Sequence, residues 1–243
     1  NNYAQLDTMG TVVDAFNFLN DFNSSDSLVD RRQSRDKQDD RCVVDLLVDQ
    51  IEFADVIILN KTDLVTSEQV SLITGIIKGL NSQAELIYSK FGKVPLKKIL
   101  NTKRFDMERA QEAPGWLKEL RGEHTPETEE YGITSFVYRA RRPFHPERFM
   151  AALSTDWPGV LRSKGFFWLA TRMDWAGNYS QAGKACRTEA AGLWWAAMDE
   201  DDWPNDQEQR QEIVELWKKP WGDRRQEIVV IGQSINQDTI TAK

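Results

Sequence analysis

Val56-Ile57-Ile58-Leu59-Asn60-Lys61-Thr62-Asp63-Leu64 decides the reading of this chain. Four apolar residues, three of them β-branched, run without a polar interruption. That is the pattern of a parallel strand buried on both faces. The polar tetrapeptide Asn60 to Asp63 then falls at the strand's carboxyl end, where open α/β sheets bind their ligands. The carboxylate of Asp63 can accept from both N–H groups on one edge of guanine, a pairing that adenine does not offer. Asn60 can reach the base from another edge and tie the loop down, and the methylenes of Lys61 can lie along the ring face. A buried site built for two such hydrogen bonds rejects a ligand that lacks them by several orders of magnitude. The tetrapeptide also suits an ordinary strand-to-helix turn, where Asn and Asp serve turns and caps. Both readings put it in a loop, and only the first gives it a ligand.

Outward from this strand the pattern alternates. Gly10 to Ala15 (G-T-V-V-D-A) predicts a buried strand, then a loop or short helix carrying Phe16, Phe18, Leu19 and Phe22. Asp30 to Arg41 mixes both charges without one apolar residue and reads as solvated surface, with a functional switch segment as the alternative. Apolar residues at helical spacing from Val43 to Phe53 predict an amphipathic helix over Asp40 to Glu52. Thr66 and Gln69 fit a capping box, opening a helix with Val70, Ile73, Ile76, Ile77 and Leu80 inward and Asn81 at its end. Ala84 to Tyr88 predicts another strand, running into Ser89-Lys90-Phe91-Gly92. Strand, helix, strand, helix, strand is the grammar of a parallel sheet with right-handed crossovers.

Composition shifts after Pro114, since all nine tryptophans follow it. Gly122 to Glu130 is polar and acidic and reads as a linker. The expected division is residues 1–115, a linker over 116–131, and a second unit over 132–243. In that second unit strands are expected at Gly132–Tyr138, Gly165–Thr171, Leu193–Ala196 and Glu227–Gly232. Helices are expected from His145-Pro146, with proline at the first helical position, and over Gln207–Lys218. If Trp194 and Trp195 share a strand, their rings face opposite sides and one is exposed. Nine tryptophans spread over such elements fit a core or a partner interface better than a stacking platform.

The 243 residues are 40% hydrophobic and 28% charged, with a formal net charge of −7, which argues against a nucleic-acid surface. No apolar run approaches the ~18 residues of a membrane span. No basic region followed by an apolar stretch marks a secretory signal. Cys42 and Cys186 are far apart and suggest no disulfide framework, so a reducing cytoplasm is the expected setting. His124 and His145 are the two histidines. Without paired His or Cys spacing, His124 among Glu123, Glu127, Glu129 and Glu130 reads as solvated linker rather than as a zinc site, and no metal ligands are assigned. Arg139, Arg141, Arg142 and Arg148 are expected to pair with that acidic linker, with a phosphate or an acidic partner as the alternative. G-x-S-x-G is absent, and no nucleophile–base pair is legible, so no catalytic residue is assigned.

Asn-Lys-x-Asp at a strand end is how guanine-nucleotide-binding proteins read their base, and longer runs narrow the likeness. T-V-V-D-A and Q-I-E-F-A-D-V-I-I-L-N-K-T-D-L resemble the second half of the GTPase domain of the CobW family of P-loop GTPases. The run from His124 to Phe149, then K-G-F-F-W-L-A-T-R, S-Q-A-G and D-R-R-Q-E-I-V-V-I-G-Q, are similar to that family's linker and carboxyl-terminal domain, most of all in its zinc-responsive branch. The resemblance implies an α/β fold: the second half of a P-loop GTPase parallel sheet with flanking helices, then a smaller α+β domain. It implies a GTP-binding metal chaperone with GTP or GDP and Mg²⁺ as cofactor, zinc or cobalt as cargo, and a client metalloprotein as partner. A non-catalytic module that binds such a client is the alternative. By position it places Asn60, Lys61 and Asp63 on guanine, with Ser89 and Lys90 in the loop that touches the guanine carbonyl. The family's G-x-x-x-x-G-K-[ST] phosphate loop and C-x-C-C metal motif are not in this sequence. The expectation is therefore a carboxyl-terminal piece of a longer GTPase, unable to hydrolyse GTP by itself.

Overall fold

The loop from Asn60 to Asp63 leaves the middle strand of a small parallel sheet. In this computed structural model, which describes residues 5–28, 30–31, 41–107, 115–122 and 131–241, β2 (Val56–Asn60) lies between β1 (Gly10–Asp14) and β3 (Glu85–Tyr88). Asp14 stands opposite Asn60, and Leu59 opposite Tyr88. Val56, Ile57 and Leu59 are fully buried, as a strand covered on both faces requires.

Three helices build the core around it: α1 (Phe18–Phe22), α2 (Val43–Glu52) and α3 (Ser67–Leu80). Val44, Val48 and Ile51 of α2 and Ile73, Ile76, Ile77 and Leu80 of α3 pack with Val13, Ile57 and Leu59. Helix α2 starts later than its spacing predicts, at Val43, where the Asp45 carboxylate accepts from the Cys42 N–H at 3.1 Å. Most of the charged run before it, residues 32–40, lies outside the described residues. The capping box of α3 forms as expected. Gln69 N–H donates to Thr66 Oγ1 at 3.3 Å, and Thr66 N–H to Gln69 Oε1 at 2.9 Å. The helix stops at Asn81, which is wholly buried. Its Nδ2 donates to the carbonyls of Ile51, Glu52 and Ala54, and its Oδ1 accepts from the N–H groups of Gln83 and Ala84. One side chain thus satisfies the backbone where α2 ends, β2 approaches and β3 begins.

The second half is an antiparallel sheet of β4 (Ile133–Ala140), β5 (Val160–Leu169), β6 (Arg172–Ala182), β7 (Ala185–Leu193) and β8 (Gln226–Gln233). Their spatial order is β4-β8-β5-β6-β7. Helix α4 (Gly115–Leu120) occupies the start of the segment read as a linker, and residues 123–130, including His124, lie outside the described residues. Trp116 and Leu120 of α4 pack against Ile133, Val229 and Ile231. Helix α5 (Pro146–Leu153) opens with proline as expected, α6 spans Gln207–Leu216, and α7 spans Gln237–Thr241.

Two expectations are corrected. Leu193 to Ala196 is not a strand. Leu193 ends β7, and Trp195–Ala197 is a single 3₁₀ turn. Its cause is distant in sequence: the Asp223 carboxylate accepts from the N–H groups of Trp195 and Ala196 at 3.1 and 2.9 Å. Trp194 is buried, its indole N–H donating to the Trp175 carbonyl at 3.0 Å. The strand expected over Gly165–Thr171 begins earlier, at Val160, and ends at Leu169. The β6–β7 hairpin was not foreseen at all.

The two halves share a core. Ala182 and Ala185, on either side of the β6–β7 turn, are buried with α2 and α3. At that turn Gly183 has φ +51°, and a Cβ there would stand 2.0 Å from the Phe22 carbonyl oxygen. Arg162 of β5 reaches Glu52 of α2, Nε to Oε1 at 2.8 Å and Nη2 to Oε2 at 3.4 Å, with both side chains 2% exposed. Arg162 Nη1 also donates to Ser180 Oγ and to the Gln181 carbonyl. On α3, Gly75 and Gly79 lie one turn apart, so Tyr131 and Ile133 can approach where a Cβ would meet them at 2.7 and 3.0 Å.

Candidate functional site

Asn60 closes β2, and the chain then turns through Lys61 at φ +62°, a left-handed conformation that costs a non-glycine residue about 1 kcal/mol. A salt bridge braces that turn: Lys61 Nζ donates to Asp14 Oδ2 at 2.7 Å. Asp14 ends the neighbouring strand and also accepts from the Phe16 N–H and from Asn17 Nδ2. Burial pushes the Asp14 carboxyl up, but hydrogen bonds from Lys61 and Asn17 outweigh it and hold it below its ordinary value of 3.8.

A second loop, after β3, locks onto the first. The Ser89 carbonyl accepts from the N–H and the hydroxyl of Thr62 at 3.2 and 3.1 Å. Ser89 N–H donates to the Leu59 carbonyl at 2.8 Å. Gly92 N–H donates to Asn60 Oδ1 at 3.0 Å, which fixes that amide and leaves its Nδ2 as a donor. Phe91, at φ +53°, is 82% exposed. The structure thus brings Asn60, Lys61, Asp63, Ser89 and Lys90 together at one end of the sheet.

Their roles differ. Ser89 is buried and spends its N–H and carbonyl on the scaffold, while its hydroxyl donates to the Lys93 carbonyl at 3.3 Å. Lys90 is exposed, and its N–H has no partner among the described residues. Asp63 is exposed, and its carboxylate likewise has none. Sequence reasoning passed over Asp14 and Gly92, which hold the loop. Asp14 is 47 residues from Lys61, and no spacing rule links them. Gly92 directly after S-K-F was a usable sign of a tight turn.

Elsewhere, among the described residues, no three His, Cys, Asp or Glu side chains gather as a metal site, and Cys42 and Cys186 are not joined in a disulfide. His145 sits at the start of α5, away from this loop. The arginine cluster is divided. Arg139 pairs with Glu227 at 2.9 Å, and Arg141 donates to the carbonyls of Leu216, Gly222 and Arg224.

Comparison with known proteins gives the family. A family model described as the CobW/HypB/UreG nucleotide-binding domain matches residues 1–88, and one described as the cobalamin synthesis protein CobW C-terminal domain matches residues 133–243. Zinc-regulated GTPase metalloprotein activator 1 of Dictyostelium discoideum is 48% identical over 245 residues, covering 99% of this chain and 51% of that protein. Zinc chaperone Rv0106 of Mycobacterium tuberculosis is 38% identical over 95 residues, covering 39% of this chain and 24% of that protein. The chain therefore spans about half the length of the first of these relatives. The Zn(II)-bound YjiA GTPase from E. coli aligns with 98% of this chain and 60% of its own, at 18% identity and a TM-score of 0.38. With a nucleotide-binding portion and a carboxyl-terminal portion both matched, the chain belongs to the CobW family.

Proposed function

We propose that this chain supplies the guanine-reading loop and the effector domain of a GTP-dependent metal chaperone that hands zinc, or a related metal, to a client metalloprotein in the cytoplasm. Among the described residues no helix is long and apolar enough to cross a membrane. We assign residues 1–115 to the nucleotide-binding unit and residues 132–243 to the effector unit. One observation carries the reading: the carboxylate of Asp63, without a partner among the described residues, stands on a loop held in a strained turn and joined through Thr62 and Ser89 to the loop with the unspent N–H of Lys90, while Asn60 keeps its Nδ2 as a donor. An acceptor fork and two donors on a fixed scaffold complement the edges of guanine. Adenine would meet the fork with one donor too few. The strain at Lys61 and Phe91 supports the same view, since such conformations gather at functional loops.

These residues fit the base of a guanine nucleotide. GTP phosphates and Mg²⁺ would need a phosphate loop of a kind that residues 1–243 do not contain. The test is a ¹H–¹⁵N titration of this chain with GMP and, separately, AMP. GMP should shift the amides of Asp63, Lys90 and Gly92, AMP should leave them unmoved, and Asp63→Ala should abolish the GMP response. Equal shifts with both nucleotides, or an unaltered response in Asp63→Ala, would defeat the reading.

A further inference from the structure

A cavity of about 480 Å³ lies in the carboxyl-terminal half, between one face of the five-stranded sheet and the helices α5 and α7. Its wall is aromatic and aliphatic. Phe144 and Phe149 stack with ring centres 4.8 Å apart, and Tyr179 meets Phe149 edge-on at 6.4 Å. Ile228 and Val230 of β8 line the sheet side, and Ile240 of α7 lines the far side. Two buried hydroxyl-bearing residues, Ser163 and Tyr179, also border it. Its volume and its mix of apolar wall with few polar groups are those of a small-molecule site.

The mouth is cationic. Arg142, His145 and Arg148 all line the cavity and are all exposed, and among the described residues no Asp or Glu lines it. Arg139 and Arg141, their neighbours in sequence, spend their guanidinium groups on Glu227 and on backbone carbonyls. Neither guanidinium of Arg142 and Arg148 has a hydrogen-bond or ion-pair partner among the described residues. The chain has 38 acidic residues against 31 basic ones, so two arginines without an acidic partner among the described residues run against its average. A guanidinium fork matches a carboxylate in geometry and charge, and an aromatic cavity behind it takes an apolar body.

We propose that this cavity binds an amphipathic carboxylate, with its aliphatic or aromatic body inside and its carboxylate on Arg142 and Arg148. A free carboxylic acid and the carboxyl-terminal apolar residue of a polypeptide share that chemistry. Two probes separate them: decanoate, and the peptide acetyl-Gly-Leu-Phe with a free carboxyl end. Each is titrated into the full chain by displacement of 8-anilinonaphthalene-1-sulfonate, with decanol and the peptide amide as uncharged controls. The expected result is saturable one-to-one binding of at least one acid. Arg142→Ala/Arg148→Ala, on the exposed rim, should weaken that acid roughly tenfold or more and leave its neutral control unchanged. Ala152→Trp, which fills the space from α5, should abolish binding of acid and control alike. The proposal is overturned if neither acid saturates, if acid and neutral control bind equally, or if the double variant binds the acid as the parent does.

Discussion

Removing one partner of the Glu52–Arg162 pair should damage the molecule more than any surface change. Both side chains are 2% exposed, and the contact is two-pronged. In Arg162→Met the Glu52 carboxylate stays buried with its donors gone. Stranding a buried charge in this way costs about 3–5 kcal/mol. A chain of this size loses about 2–4 °C of Tm for each kcal/mol, so Tm should fall by roughly 6–20 °C. Glu52→Gln should cost less, because the amide oxygen can still accept from Arg162. The decisive variant is Glu52→Leu/Arg162→Met. Replacing both members of a buried pair with apolar residues of similar size is often neutral, so the double variant should recover most of what Arg162→Met loses. Urea denaturation and calorimetric scans of the parent, of Glu52→Leu and Arg162→Met as the singles, and of the double form a closed cycle. If Arg162→Met costs under about 1 kcal/mol, or the double loses the sum of the singles, the pair does not join the two halves as described.

Asn81→Asp tests the five hydrogen bonds at the end of α3. A carboxylate there faces the carbonyls of Ile51, Glu52 and Ala54 with nothing to donate, so urea midpoints at pH 7 should fall further for Asn81→Asp than for Asn81→Ala. Gly183→Ala forces a Cβ to within 2.0 Å of the Phe22 carbonyl at positive φ and should lower stability by more than about 2 kcal/mol. Gly10→Ala, where a Cβ meets nothing within 4 Å, is its control and should stay within about 1 kcal/mol by the same assay. Burial raises the Asp49 carboxyl above 3.8 against the pull of Arg162 and Lys164, so the folded state disfavours its charge. Asp49→Asn should therefore stabilise the chain at pH 7, and the gain should vanish as the pH falls below 3.8, where both states carry the proton. Denaturation curves at pH 7 and pH 3 check it.

The parallel sheet was legible because its signals are local. The run Val56 to Leu59 needs no partner to announce a buried strand, and Thr66 with Gln69 announces a helix start by itself. The β6–β7 hairpin was missed because its outward side chains are exposed along β7, so the apolar alternation fades. Gly183-Lys184, the two-residue turn between Ala182 and Ala185, was the signal available to find it. Trp194 and Trp195 misled for the opposite reason. They look like strand residues, but Asp223, 28 residues beyond Trp195, turns the chain there. Asn60, Lys61 and Asp63, proposed to read a base, could be named from one tetrapeptide, whereas the brace between Asp14 and Lys61 belongs to register between strands. The shared core of the two halves was equally hidden, since alanines and glycines carry little weight in any hydrophobic pattern.

The glycines of α3 give that helix a second identity. It begins three residues after Asp63, at the cap formed by Thr66, and at Gly79, one residue before its end, it has no side chain to hold Ile133 at a distance. Tyr131 and Ile133 rest on the bare rail of Gly75 and Gly79. A rail so close leaves no slack for either body to move independently. If a ligand docking at Asp63 tips the front of α3, the strand that opens the carboxyl-terminal half must tip with it or part from it, and the helix works as a crankshaft between the two halves.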